Sequence, residues 1–152
     1  MTVGGREALE RLLPYRGEAL LIDEFSETCP NGGQPGLCAT YRVPLGSWWV
    51  EGHFPGNPVM PGTMQLEVAA QACALLAVLI SKSTGQFALA GNDEVRFRKV
   101  VRPGDILTIL VTNTRHKMSL WKFSFEITNQ SGELVASGNI TGVELKDEGN
   151  EG

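Results

Sequence analysis

One long apolar segment constrains the fold of this 152-residue chain more than any other feature. From Thr63 to about Lys82 the pattern is helical, and beyond Val68 apolar residues occupy nearly every face of the helix. Such a helix must be surrounded by protein, because an apolar surface on all sides is unfavourable in water. The longest apolar run, Val68 to Ile80, is interrupted by Gln71 and is shorter than the about 20 residues of a membrane span. The sequence therefore predicts a buried core helix and no membrane insertion.

The rest of the sequence predicts one short helix and a set of strands. Apolar residues at helical spacing predict a helix from Arg6 to Leu13, which should end at Pro14. Segments rich in β-branched and aromatic residues predict strands at Ala19 to Phe25, Leu37 to Val43, Phe87 to Phe97, Ile106 to Thr114, Met118 to Asn129 and Leu134 to Leu145. Within the fifth of these, strict alternation places Trp121 and Phe123 on one face and Lys122 on the other.

One buried helix and about six mostly antiparallel strands predict an α+β hot-dog fold, in which a curved sheet wraps around the helix. The length suits a single domain, which we assign to residues 1–145. The acidic, glycine-containing segment 146–152 is predicted to be a disordered tail. An open sheet edge would favour dimerisation by strand pairing.

Charge and cysteine content exclude several classes of protein. The net charge of −4 argues against a nucleic-acid binder that depends on phosphate contacts. A local basic cluster remains open to two interpretations, a docking patch or a solvated strand end; it consists of Arg96, Arg98, Lys99 and Arg102. The three cysteines, Cys29, Cys38 and Cys73, have no CxxC spacing and predict neither a disulfide framework nor a zinc site. With no signal-peptide pattern at the N-terminus, we expect a cytoplasmic protein with reduced thiols.

An irregular stretch from Trp48 to Gly62 precedes the core helix and contains one of only two histidines. Its prolines and glycines exclude regular structure. His53 lies within this loop, and loops on a rigid scaffold often carry catalytic groups. A lone loop histidine is nevertheless more often structural. The other histidine, His116, lies at a predicted turn between two basic residues and is interpreted as a surface residue.

Two further features lie at the start of the core helix. Glu67 has apolar neighbours and Gln71 one turn further on. Burial would raise the pKa of such a carboxyl group and suit it to donate a proton, although the helix N-terminus favours the anion. Gly62, directly before the predicted helix, could offer an unpaired backbone N–H to an oxyanion, with no side chain to block its approach. Base, acid and oxyanion donor thus lie within fifteen residues.

The segment GHFPGNPVMPGTMQLEVAAQ, from Gly52 to Gln71, closely resembles the signature of bacterial 3-hydroxyacyl-acyl-carrier-protein dehydratases. The fourteen-residue step from His53 to Glu67 matches the histidine-to-acid spacing of that family. Two other segments, LLPYRGEALLIDEF and AGNDEVRFRKVVRPGDIL, are similar to motifs before and after the core helix of the family. The resemblance extends roughly from Leu12 to Val143.

The resemblance implies a mechanism. His53 would abstract the proton next to the thioester carbonyl, and Glu67 would protonate the departing 3-hydroxyl. The Gly62 N–H would hold the enolate-like oxygen, the Val59 carbonyl would select the His53 tautomer, and Gln71 would orient Glu67 or the leaving water. No metal or organic cofactor is implied.

The resemblance also implies partners and an assembly. Acyl-carrier protein would present the acyl chain on a phosphopantetheine arm, and the chain would lie in a tunnel. We assign to this tunnel the residues Phe54, Pro61, Met64, Phe87 and Phe97. The active unit would be a homodimer, in which His53 and Glu67 of different subunits face each other, or a trimer of such dimers.

Some positions depart from the family pattern. Tyr15 replaces the usual histidine of a Pro-His-Arg motif, Phe87-Ala88 replaces an aromatic pair, and Asn92 stands where an aliphatic residue is common. These departures leave the acyl-chain length and the pathway open.

Three alternative functions remain open from the sequence. A dehydratase-isomerase would usually carry Asp at the acid position, so Glu67 favours the plain dehydratase. A hot-dog thioesterase could use Glu67 to place water without His53. A non-catalytic subunit that binds acyl chains or carrier protein would not need both residues.

Overall fold

A computed structural model describes residues 3–28, 33–82 and 84–146 of the chain. The helices are α1 (Arg6–Leu12) and α2 (Gly62–Ser81), with a short 3-10 turn at Gly17–Ala19. The strands are β1 (Val3–Gly4), β2 (Glu24–Thr28), β3 (Gly36–Arg42), β4 (Phe87–Phe97), β5 (Ile106–Lys117), β6 (Leu120–Thr128) and β7 (Leu134–Glu144). They form one seven-stranded antiparallel sheet in the order β1-β2-β3-β5-β6-β7-β4.

The predicted core helix is α2, and the sheet surrounds it. The helix begins after Pro61 and ends at Ser81, because Lys82 adopts a left-handed conformation (φ 56°) and its N–H donates to the Val78 carbonyl at 2.7 Å. Its 20 residues are long and apolar enough to cross a membrane, so the length of the apolar run does not by itself exclude a span. The contacts of α2 with four strands and with α1 explain its composition as that of a core helix.

Buried and exposed side chains alternate along the strands, and the buried ones form the inner face of the sheet. On β6 the side chains of Trp121, Phe123, Phe125 and Ile127 are buried, whereas Lys122 and Glu126 are exposed. This is the pattern predicted from the sequence, because successive strand residues point to opposite faces. The hot-dog arrangement of one long helix against a curved antiparallel sheet is confirmed.

The first predicted strand is wrong in its N-terminal half. Between Ala19 and Phe25, only the residues from Glu24 onward belong to a strand, and Ala19 closes the 3-10 turn. The carbonyls of Gly17 and Leu20 accept from the Arg6 guanidinium, at 2.8 and 3.0 Å. Backbone groups satisfied by a side chain in this way need no strand partner.

Smaller differences concern the ends of elements. The sheet has seven strands because the two-residue β1 pairs with β2, which no sequence signal predicted. The strand predicted from Met118 begins at Leu120, because Met118 (φ 57°) lies in the tight turn after β5. Cys29 and residues 147–152 of the predicted tail lie outside the described residues.

Among the described strands, the edge strand β4 pairs only with β7, and it carries two irregularities, between Leu89 and Gly91 and between Asp93 and Arg96. Leu89 and Phe97 on this strand are each about half exposed. An apolar, unpaired edge of this kind is available for pairing with another strand.

Candidate active site

His53 is held by its own loop. Its backbone N–H donates to the Trp49 carbonyl at 2.9 Å, and its carbonyl accepts from the Val59 N–H at 2.7 Å. The ring Nδ1 lies 2.8 Å from the Val59 carbonyl oxygen. Because a carbonyl only accepts, this contact selects the tautomer with hydrogen on Nδ1 and leaves Nε2 with a free lone pair. The half-buried ring is therefore arranged as a base.

Phe54 lies beside this ring. The ring centroids are 4.3 Å apart with 23° between the planes, so the two rings stack. About half of the Phe54 side chain is exposed. The stacking contact helps to hold the His53 ring, and the assignment of Phe54 to a tunnel stays a prediction.

Glu67 lies one turn into α2, and the expectation that it is buried is wrong for the single chain. The side chain is exposed, because this position of the helix borders a cavity and is not covered by the sheet. Its Oε1 accepts a hydrogen bond from Gln71 Nε2 at 3.2 Å. Among the described residues, no hydrogen bond joins it to His53 of the same chain.

Gln71 does more than face Glu67. It is fully buried, and its Nε2 also donates to the Ala19 carbonyl at 2.7 Å, while its Oε1 accepts from the Leu21 N–H at 3.0 Å. The side chain thus fastens the segment before β2 to the helix and holds the Glu67 carboxylate at the same time. The spacing in the sequence indicated only the second contact.

Gly62 is the first residue of α2, and its N–H has no acceptor among the described residues. A methyl group at its Cα would lie 3.1 to 3.3 Å from three atoms of the Phe97 ring. A side chain at this position would therefore press on the Phe97 ring, which would have to move by a few tenths of an ångström. Phe97 covers the helix start and does not line the cavity beside Glu67.

The cavity beside Glu67 has a volume of about 160 Å³ and lies between α2 and strands β4, β6 and β7. Small residues of α2 form one wall, namely Ala70, Cys73 and Ala74. Phe87 and Phe123 form part of the opposite wall. This is a narrow, mostly apolar space with a carboxylate on its border, as is typical of sites for small molecules.

Of the five residues assigned to a tunnel, only Phe87 lines this cavity. Met64 borders a separate depression that includes Trp48 and Trp49. Pro61 is the residue before α2 and borders neither space. The other four residues therefore do not line this cavity in the single chain, and their assignment to a tunnel stays a prediction.

Tyr15 lines the cavity, which the sequence did not predict. The sequence showed only that Tyr15 replaces the usual histidine of a Pro-His-Arg motif. Burial, followed by the charges of Glu67 and Cys73, raises the pKa of its phenol to about 12. The hydroxyl is therefore neutral near pH 7 and can donate a hydrogen bond. It has no hydrogen-bond partner among the described residues.

Three side chains of the basic cluster bind other residues of the same chain. Arg98 Nη1 donates to Ser137 Oγ at 2.6 Å, and Lys99 Nζ lies 3.1 Å from a Glu133 carboxylate oxygen. Arg102 Nη1 donates to Asn57 Oδ1 at 2.7 Å and to the Pro58 carbonyl at 3.1 Å. Arg102 therefore supports the loop that carries His53, a contact across 45 residues that no sequence pattern indicated.

The remaining titratable candidates lie elsewhere. His116 is exposed and stacks on Trp121 with ring centroids 3.4 Å apart, in agreement with its interpretation as a surface residue. Within residues 3–28, 33–82 and 84–146, no group of three or more His, Cys, Asp or Glu side chains could hold a metal ion.

Residues 13–139 match the family model described as the FabA-like domain. The chain belongs to the FabA-like family. This FabA-like chain is 35% identical over 152 residues to the 3-hydroxyacyl-[acyl-carrier-protein] dehydratase FabZ of Rickettsia bellii (strain RML369-C), covering 97% of this chain and 99% of that one. It is 42% identical over 132 residues to the FabZ of Myxococcus xanthus, covering 85% and 84% of the two chains.

Solved structures agree on the fold of the FabA-like chain. The dehydratase heterocomplex ApeI:P from Xenorhabdus doucetiae contains a chain that superposes with a TM-score of 0.75 at 18% identity, covering 91% of each chain. A Thermus thermophilus thioesterase superfamily member superposes with a TM-score of 0.62 at 18% identity, covering 78% of this chain and 86% of that one.

Proposed function

We propose that the chain dehydrates (3R)-3-hydroxyacyl thioesters on acyl-carrier protein to trans-2-enoyl thioesters, in fatty-acid or related acyl-chain biosynthesis. The observation that carries the proposal is the His53 ring, whose Nδ1 is held by the Val59 carbonyl so that Nε2 is free to act as a base. Glu67, fourteen residues later, borders a narrow apolar cavity. The FabZ relatives from R. bellii and M. xanthus are named for the same reaction.

In this mechanism, His53 Nε2 takes the proton from the carbon next to the thioester carbonyl, and the electron pair of that bond forms the new double bond. The bond between carbon 3 and its hydroxyl oxygen breaks, and protonated Glu67 donates its proton to that oxygen, which leaves as water. The Gly62 N–H stabilises the enolate-like oxygen, an interaction typically worth about 3 kcal/mol in the transition state. Gln71 holds the carboxylate of Glu67 in place.

The proposed site is shared between two subunits. Within one chain no hydrogen bond joins His53 to Glu67, and His53 does not line the Glu67 cavity. The exposed apolar edge of β4, with Leu89 and Phe97, offers a surface for a twofold partner. We therefore include in the proposal a homodimer, or a trimer of such dimers, built from one domain over residues 1–145.

The proposal also concerns cofactor and carrier. The chemistry needs only a base, an acid and an oxyanion donor, so no metal or organic cofactor takes part, and a chelator should leave turnover unchanged. Acyl-carrier protein supplies the substrate on its phosphopantetheine arm, in the cytoplasm.

Hydration of crotonyl and longer enoyl thioesters, the reverse reaction, tests the mechanism. His53→Ala and Glu67→Gln should each reduce turnover by about 100- to 10,000-fold, the usual effect of losing a general acid or base. Undiminished turnover in either variant would refute the mechanism. Release of free thiol that is insensitive to His53→Ala would indicate a thioesterase instead, and accumulation of a cis-3 isomer from a trans-2-decenoyl thioester would indicate an isomerase.

A mixture of the two inactive variants tests the shared site. In a twofold dimer of one His53→Ala and one Glu67→Gln subunit, one of the two sites regains both residues only if the site is shared. Co-expression at equal levels should then restore about one quarter of the wild-type sites. No recovery, with mixed dimers present, would place both residues in one chain.

A further inference from the structure

The Glu67 cavity contains a second polar side chain to which the proposed reaction assigns no role. Tyr15 and Glu67 both border this space, whereas the walls between them are formed by residues such as Ala70, Ala74 and Phe123. A polar group in an apolar cavity is costly unless it finds a partner. The Tyr15 hydroxyl has none among the described residues, so its donor is available to a ligand.

The backbone around Tyr15 is held on both sides. Arg16 Nη1 donates to the carbonyls of Leu13 and Tyr15, at 2.7 and 2.6 Å. A few residues later, Gln71 holds the Ala19 carbonyl. Because Gln71 also donates to Glu67, one buried amide connects the Tyr15 segment to the proposed acid. The two polar groups therefore face the cavity from a common hydrogen-bonded support.

We propose that Tyr15 is a positioning residue, whose phenol O–H donates a hydrogen bond to the 3-hydroxyl oxygen of the bound substrate. This inference rests on the proposed function. A hydroxyl oxygen has two lone pairs, so it can accept from Tyr15 and from protonated Glu67 together. The phenol keeps its proton at pH 7, as a tyrosine of ordinary pKa does, and the rise of its pKa to about 12 extends this to higher pH, so the donor is present.

The proposal makes the two directions of the reaction respond differently. The hydroxyacyl thioester carries the oxygen that Tyr15 binds, and the enoyl thioester does not. Loss of the phenol hydroxyl should therefore raise the KM of dehydration and leave its kcat nearly unchanged. In hydration it should lower kcat and leave the KM for the enoyl thioester nearly unchanged. The ratio kcat/KM must fall equally in both directions, because the equilibrium constant is the same.

The experiment compares wild type, Tyr15→Phe and Tyr41→Phe with (3R)-3-hydroxybutyryl- and crotonyl-acyl-carrier protein as substrates. Tyr41 is the only other tyrosine and does not line the cavity, so Tyr41→Phe is a matched loss of one phenol hydroxyl. In Tyr15→Phe, a lost hydrogen bond predicts that the dehydration KM rises about 2- to 12-fold. Tyr41→Phe should keep the wild-type KM in both directions.

Tyr15→His provides a second variant, because imidazole also carries an N–H donor. Its dehydration KM should lie between those of wild type and Tyr15→Phe. An unchanged dehydration KM in Tyr15→Phe, or an equal rise of both KM values, would overturn the positioning role, and so would a KM for Tyr15→His above that of Tyr15→Phe. Absence of turnover in the wild type would instead refute the proposed function.

Discussion

Replacing Gln71 by leucine tests whether this side chain fastens the segment before β2 to α2. The substitution keeps the side chain buried and similar in size but removes three hydrogen bonds, to Ala19, Leu21 and Glu67. The Leu21 residue is only 9% exposed, so its N–H would lose its acceptor in a nearly dry environment. Such an unsatisfied donor costs about 1–3 kcal/mol.

The other two contacts add less. Ala19 and Glu67 are exposed, so water can replace the amide at both, with a loss of about 0.5–1 kcal/mol in total. The free energy of unfolding of Gln71→Leu should therefore fall by about 1.5–4 kcal/mol. Urea denaturation at one fixed protein concentration measures this difference, since association of subunits would otherwise contribute.

Gln65 offers a matched control in the same helix. It is 3% exposed, and its Oε1 is buried without a hydrogen-bond partner. Gln65→Leu removes an unsatisfied polar atom, so the free energy of unfolding should stay the same or rise. If both leucine variants lose the same stability, the loss comes from altered packing of α2, and the fastening role assigned to Gln71 is wrong.

Two further predictions concern packing and pH. Gly138→Ala should lower the free energy of unfolding by about 1–3 kcal/mol. The added methyl would lie 2.8 Å from Val95 Cγ2 and 2.9 Å from Val95 Cα, and the Cα is a backbone atom that cannot move away without shifting strand β4. Gly46→Ala, at an exposed position outside β4 with no atom within 4 Å of the added methyl, should change the free energy of unfolding by less than about 0.5 kcal/mol, and urea denaturation that ranks the two variants equally would contradict this reasoning. The pKa of Tyr15 is about 12 in the folded chain against its ordinary 10.0, so the unfolded chain releases this proton first, and the free energy of unfolding falls as pH rises from 10 to 12. Over this range the free energy should fall less steeply in Tyr15→Phe, and parallel curves for the two proteins would contradict the assignment.

The sequence correctly predicted the features that depend on residues within a single helix or strand. Strand β4 runs from Phe87 to Phe97, as the sequence predicts, and α2 differs from its predicted bounds by one residue at each end. The alternation on β6 correctly separates Trp121 from Lys122. These features depend on period and composition over neighbouring residues, which the sequence displays directly.

The prediction at Ala19 to Phe25 failed because the deciding contacts come from elsewhere in the chain. The apolar residues there do resemble a strand, but Arg6 and Gln71 supply hydrogen-bond partners to this backbone from 14 and about 50 residues away. Local propensity carries no information about such partners, and tertiary contacts override it.

The sequence by itself determined the buried core helix, the strand alternation and the spacing of His53 and Glu67 within a loop rich in proline and glycine. The tertiary structure decided which side chains surround Glu67. It exposes Glu67 on the border of a cavity, brings Tyr15 to the same space, and places Phe97 over Gly62. The physical reason is that a cavity is formed by side chains from separate elements, and their meeting depends on how α2 packs against the sheet.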